Sequence, residues 1–203
     1  MKKIIYIVLF LLLAIPNWSC SVYQTIVNIS RLKFKLDQVN NFLVSGIPVS
    51  NKTQLKDFSA AEILKISSSF AQGKLPVSFT LNVQAKNPND GTGGYPKTSA
   101  TIKSFPWRLL LDEKETISGN IGSPVSVPGT GELTNIPIQL NLDLMTFFKD
   151  RGYESLINLA LNIGGYKKSA SSVVLLAQPT VGTSIGNITY PGELKIVSYQ
   201  FTE

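Results

Sequence analysis

The chain has 203 residues, 19 Lys and Arg against 13 Asp and Glu (formal charge +6), and is 43% hydrophobic. That apolar content excludes a disordered, water-retaining coil. Having no histidine and a single cysteine, the chain is also excluded from histidine-based triads, most zinc centres and any intrachain disulfide.

Lys2 and Lys3 precede an unbroken apolar run from Ile4 to Ile15, which Asn17-Trp18-Ser19-Cys20 closes. The run is shorter than the roughly 20 residues a spanning helix needs, and with its charged start it reads as an export signal. The segment resembles the lipobox of bacterial lipoproteins, departing from it at Asn17, where that pattern has an aliphatic residue. The resemblance implies acyl chains on Cys20, which becomes the first mature residue; plain secretion with cleavage nearby and an uncleaved anchor are the alternatives. Two or more chains make such a tether stable. The expected organisation is a signal peptide over 1–19, lipidated Cys20 with a tether over 20–32, and one domain over 33–203.

Loss of Lys2 and Lys3 leaves 17 basic against 13 acidic residues, a mild +4. No Lys/Arg run suggests a nucleic-acid stripe. Lys33, Lys35, Lys52 and Lys56 read as solvated positions, with lipid phosphates as the sharper alternative. Ser21 to Thr25 lacks the acidic cluster that follows the cysteine in many surface-exported lipoproteins. The expected location is lipid-anchored in the cell envelope, on the periplasmic face of a membrane in a Gram-negative bacterium.

Beyond the tether, apolar and polar residues alternate. Leu32 to Leu36 does so briefly, Val77 to Lys86 over ten residues, and Ile136 to Leu144 with five apolar residues on one face. These are strands with one buried and one wet face, the antiparallel pattern. Trp107 to Asp112, Ser172 to Ala177 and Leu194 to Phe201 read as further strands. Pro137 lacks an N–H, so its strand begins there or lies at an edge. Short strands separated by Gly, Pro and Asn turns predict a sandwich or barrel.

Two amphipathic helices interrupt the strands. Ser59-Ala-Ala-Glu62 has capping-box spacing, and Ile63, Leu64, Ile66 and Phe70 form an apolar stripe in an insert over about 59–72. The second helix runs over about 153–163, with Leu156, Ile157, Ala160, Leu161 and Ile163 on its apolar face and Gly164-Gly165 as its stop. Asp90 to Gly94 reads as a flexible loop.

Phe79 to Asn89, reading FTLNVQAKNPN, resembles the strand-plus-NPN signature of the type 2 late-embryogenesis-abundant family, also called the water-stress and hypersensitive-response domain. Trp107 to Asp112, Ile117 to Gly119, Val125 to Gly129 and Ile136 to Leu144 follow in family order, and the resemblance covers most of residues 33–200. It implies a fibronectin- or immunoglobulin-like β-sandwich and a stress-related role; the helical insert and the Asp90–Lys97 loop are departures. In the motif, Asn87 ends the strand, Pro88 fixes its own φ, and Asn89 bonds nearby backbone, a structural role.

No catalytic constellation is expected. Gly182-Thr-Ser-Ile-Gly186 matches a nucleophile pattern, but that motif needs a strand-to-helix turn and a histidine. Asp112, Glu113 and Glu115 read as a solvated hairpin turn rather than a calcium site. No metal or cofactor is expected. The leading function is a membrane-tethered, non-enzymatic interaction or structural domain of the envelope, its partner an envelope protein or lipid. The alternative is a lipid or small apolar ligand carrier with a slot lined by Phe70, Leu156 and Leu161, for which core packing is the plainer reading.

Overall fold

The computed structural model describes residues 16–164, 173–183 and 185–202, so most of the expected signal peptide (1–15) lies outside the described residues. Strands β1 (Lys33–Val44), β2 (Ile47–Pro48), β3 (Pro76–Lys86) and β8 (Leu133–Asp143) form one sheet in the order β2-β1-β3-β8. The alternation sets its register: β3 and β8 pair without a break from Pro76↔Asp143 to Lys86↔Leu133. Val77, Phe79, Leu81, Val83 and Ala85 are buried beside Ile136, Ile138, Leu140 and Leu142. The larger of these each contribute about 1.5–3 kcal/mol by leaving water. Pro137 sits opposite Asn82 in an edge strand, which begins four residues before it, at Leu133.

β1 is much longer than Leu32 to Leu36. Its pairing with β3 shifts between Leu36 and Val39 and again between Asn40 and Leu43, with Asn41 at φ 53°. These bulges break the alternation a sequence reading depends on.

The opposing layer is bent. Strands β4 (Ala100–Ser104), β7 (Val125–Val127), β10 (Thr180–Thr183) and β11 (Gly186–Thr189) make a sheet in the order β11-β10-β4-β7. Strands β5 (Trp107–Leu111), β6 (Lys114–Gly119), β9 (Val173–Ala177) and β12 (Leu194–Ile196) make another, in the order β12-β9-β5-β6. Chain order joins them, since β4 runs into β5 through Phe105-Pro106 and β9 into β10 through Gln178-Pro179. Gln178 N–H bonds Pro106 O at 3.0 Å, so both proline-interrupted ribbons turn together. Phe34 of β1 meets Phe105 at this corner, ring centroids 5.5 Å apart, and both are fully buried. The result is a mainly antiparallel β-sandwich-like fold. The expected strand to Phe201 is regular only to Ile196, but its continuation stays on β1: Leu36 N–H bonds Val197 O and Thr202 N–H bonds Phe34 O, both at 2.9 Å.

Helices α1 (Pro16–Ser30), α2 (Ala60–Ala71), α3 (Leu144–Phe147) and α4 (Tyr153–Gly164) complete the chain, with a 3₁₀ turn at Leu55–Asp57. The Ser59/Glu62 capping box starts α2. Ile66 is buried beneath it with Ile63 and Phe70 alongside, whereas Leu64 is 70% exposed, because it lies about 100° round the helix from Ile63. In α4 every residue of the expected apolar face is buried. Gly164 is the last residue of that helix rather than its stop, and it serves packing: a Cβ there would lie 2.1 Å from Phe42 Cγ. Gly165 falls outside the described residues. No helix among the described residues is long and apolar enough to cross a membrane.

Candidate functional site

The Asn87-Pro88-Asn89 motif lies where β3 ends, and its two asparagines are almost wholly buried. Asn87 Nδ2 donates to Thr98 O at 2.8 Å and Val127 O at 3.1 Å. Its Oδ1 accepts from Asn89 N at 3.2 Å and Asn89 Nδ2 at 2.9 Å. One side chain thereby satisfies carbonyls of two other segments, with no donor or acceptor wasted. Gly131 N–H bonds Asn87 O and Thr98 N–H bonds Asn89 O, each at 3.1 Å. The knot is tight enough to need a glycine opposite: a Cβ at Gly129 would lie 2.4 Å from Asn89 O and 2.6 Å from Thr98 O.

The motif does more than end a strand. A helix leaves its last carbonyls without intrahelical partners, and those of α1 are met by the sandwich. Asn89 Nδ2 donates to Asn28 O at 2.8 Å, and the Tyr190 hydroxyl donates to Ile29 O at 2.6 Å. Burial holds the Tyr190 phenol well above its ordinary pKa, so it remains a donor. Arg31 Nη1 donates to Asn89 Oδ1 at 2.9 Å, and its guanidinium stacks 3.6 Å from the Tyr95 ring centroid. Tyr95 follows the expected flexible loop, so that loop helps hold the helix. Cys20 lies within α1, a little over two turns before Asn28 at the ordinary helical repeat. The expected tether over 20–32 is therefore mostly this helix.

Beside the clasp a cleft of about 560 Å³ opens between the second half of α1 and the β4–β10–β11 sheet. Gln24 and Asn28 come from α1, Ser99, Thr101 and Lys103 from β4 and its approach, and Asn187 from β11. No carboxylate lines it. Lys103 has no ion-pair partner among the described residues, and its stem crosses Gly182, where a Cβ would stand 2.7 Å from Lys103 Cε. Asn28 is 8% exposed, and its Oδ1 has no hydrogen-bond partner among the described residues.

The residues expected to line an apolar slot are placed elsewhere. Leu156 and Leu161 are in the core, and Phe70 packs edge-on against Tyr153 with centroids 5.3 Å apart. None of the three lines the 560 Å³ cleft or a second, polar cleft of about 440 Å³ beside Asp112, Arg151 and Asn162.

Other sequence candidates resolve into structure. Gly182 and Thr183 end β10 and Gly186 begins β11, so the serine motif spans a β-hairpin rather than a strand-to-helix turn; Ser184 lies outside the described residues. Asp112 and Glu113, at φ 50° and 67°, form the two-residue turn between β5 and β6. Asp112 is ion-paired with Arg151, and Glu115 with Arg108. Glu193 takes the same arginine in a fork, at 2.9 and 2.6 Å, which lowers its own carboxyl pKa. Lys52 is neither solvated nor free for lipid. It is 8% exposed, donates to Asp57 O and Glu62 Oε2 at 3.1 Å, and lies 4.5 Å from the Phe58 ring centroid.

Sequence reading singled out Asn87 and Asn89 but missed Asn28, Arg31, Lys103 and Tyr190. Asn28, Arg31 and Tyr190 join the clasp through bonds that span 58 to 161 residues of chain, Lys103 enters the cleft from β4, and no local pattern marks them.

No family model and no curated protein matches the chain. Three solved structures are similar to it. A solution structure described as a late embryogenesis abundant (LEA) protein is 15% identical, with a TM-score of 0.37, over 97% of this chain and 88% of that one. A crystal structure of a protein from Archaeoglobus fulgidus is 10% identical, with a TM-score of 0.33, over 82% and 99%. An X-ray structure of a structural genomics target is 7% identical, with a TM-score of 0.35, over 82% and 87%.

Proposed function

We propose that the chain is a non-enzymatic recognition domain of the cell envelope, held to a membrane by acyl chains on Cys20 and oriented by α1. One observation carries the reading: the helix that contains Cys20 is fastened to the sandwich at its far end by Asn89, Tyr190 and Arg31. A tether that only had to reach would not need Asn89 and Tyr190, from two separate segments, gripping its carbonyls while its own Arg31 reaches back to Asn89. Cleavage before Cys20 would leave an arm of about 16 Å from Cys20 to Ser30. That arm would place the clasp end of the sandwich toward the bilayer and the α2–β3 turn away from it. The location that fits is the periplasmic face of a membrane in a Gram-negative cell.

Asn87 and Asn89 are spent on backbone carbonyls, and Asp112 and Glu115 on arginines. This favours recognition over catalysis. A stress-related role would act through this folded surface.

The test is the denatured mass of the full-length protein made in a lipoprotein-processing bacterium. Loss of residues 1–19 with two or three acyl chains on Cys20 is the expected result, and a Cys20→Ala variant should be neither cleaved there nor acylated. An unmodified Cys20 in the wild type would overturn the reading.

A further inference from the structure

We propose that the cleft beside α1 takes the headgroup of an anionic, hydroxyl-bearing membrane phospholipid, with phosphatidylglycerol as the model of its chemistry. The proposal rests on the tethered reading for its source of ligand, and on the cleft itself for its chemistry.

Charge comes first. The cleft carries one cation, Lys103, with no partner among the described residues and no carboxylate on the walls to compete for it. Gly182 gives the lysine stem a groove to lie in, because any side chain there would meet it. An ammonium so placed favours a singly charged phosphodiester.

Hydrogen bonding comes second. Gln24, Ser99, Thr101 and Asn187 line the cleft, and their side chains make no hydrogen bond among the described residues. Hydroxyl and amide donors suit phosphate oxygens, and the amide acceptors suit headgroup hydroxyls. Asn28 adds a buried acceptor, Oδ1, that has no partner among the described residues. An unpaired buried acceptor costs free energy that a hydroxyl donor would remove. At about 560 Å³ the cleft falls in the range of small-molecule sites.

Position comes third. Gln24 is four residues beyond Cys20, about 6 Å along the helix, so acyl chains on Cys20 would set the cleft at headgroup depth. Tyr23 (72% exposed) and Ile26 (49%) on the same helix, and Ile185 (45%) in the β10–β11 turn, are apolar groups of the kind that settle at a bilayer interface.

The test uses the full chain carrying Cys20→Ser in a non-ionic detergent, so acylation plays no part. Dihexanoyl phosphatidylglycerol, dihexanoyl phosphatidylcholine and free glycerol 3-phosphate are titrated separately, reading the backbone amide signals of Thr101, Gly182 and Asn187. Saturable shifts with the phosphatidylglycerol probe are expected, with affinity about tenfold or more above the phosphatidylcholine probe. Lys103→Gln should weaken binding of the phosphatidylglycerol probe by about tenfold, the worth of one charge-assisted bond. Thr101→Glu, which puts a like charge in the cleft, should abolish binding with the other amide signals in place. No saturation, or equal affinity in Lys103→Gln, overturns the proposal. Free glycerol 3-phosphate binding as tightly as the lipid overturns the membrane source and makes the cleft a site for a soluble phosphate. An unacylated wild-type Cys20 would sink the tether without touching these titrations, and a failed titration would leave the tether standing.

Discussion

Asn89 Nδ2 donates to the main-chain carbonyl of Asn28 at 2.8 Å, across 61 residues of sequence. This bond joins the end of β3 to the end of α1, and so couples a sequence motif to the segment carrying Cys20. Around it, Asn87 holds two further carbonyls and Tyr190 a third. In the clasp the carbonyls of Asn28 and Ile29 and both side-chain ends of Asn87 and Asn89 are paired, the condition under which such a network specifies one geometry.

Asn89→Ala should destabilise the protein by about 1–3 kcal/mol, because it orphans Asn28 O and removes a partner from Arg31 and Asn87. Urea denaturation gives the magnitude. Hydrogen exchange should localise the loss, with the last turn of α1 opening well below the global unfolding free energy. Unchanged protection there would mean that the helix is held by apolar contact alone.

Tyr190→Phe separates the clasp from packing and has a pH signature. Burial raises the folded-state pKa of the phenol above its ordinary value of about 10. Its stabilising contribution is therefore complete below pH 10 and falls as pH rises from there toward the folded pKa. The wild type should lose stability over that alkaline range, and Tyr190→Phe should flatten the loss while costing about 1 kcal/mol at neutral pH. Thermal melts between pH 8 and about 11 measure both.

Gly164→Ala would gain up to about 1 kcal/mol of helix propensity if there were room. With Phe42 2.1 Å from the added carbon, overpacking should dominate and destabilise by about 1–3 kcal/mol. Phe42→Leu should be less harmful in the Gly164→Ala background than alone, and a double-mutant cycle reads that coupling.

The insert should be acid-sensitive. Bonds from the Ser59 backbone and from Lys52 lower the Glu62 pKa below its ordinary value of about 4.5. The stabilisation is present above that value and is lost as pH falls through the folded pKa. Exchange protection of α2 should drop on acidification before that of β3, and Glu62→Gln should remove most of the difference.

Strands such as β3 and β8 were legible because each buries one face over eleven residues without a bulge. The Ser59/Glu62 box and the apolar face of α4 were legible for the same reason: neighbours in space are neighbours in sequence. β1 was not, because two register shifts put Asp37 to Asn41 out of alternation. Residues 20–30 read as tether because Val22, Thr25, Ile26, Val27 and Ile29 are β-branched and have weak helix propensity, which docking at Asn89 and Tyr190 overrides. Asn87 and Asn89 were recognisable as structural, but the grip of Asn89 on α1 was not, since Asn28 and Arg31 reach it only in the fold. The cleft was invisible for the same reason, being assembled from α1, β4 and β11.

The measurement that bears most directly on the tethered, oriented domain is the depth of two spin labels on acylated protein in liposomes. With Cys20 acylated, a cysteine introduced at Asn187 or at Lys74 is the only free thiol in the chain. Asn187 borders the cleft, and Lys74 lies at the opposite end of β3, whose eleven residues span roughly 35 Å. The account requires the Asn187→Cys label to sit at the bilayer interface, accessible to membrane-partitioned oxygen, and the Lys74→Cys label to remain in bulk water. Equal exposure of both labels to water, or the reverse order, would contradict it.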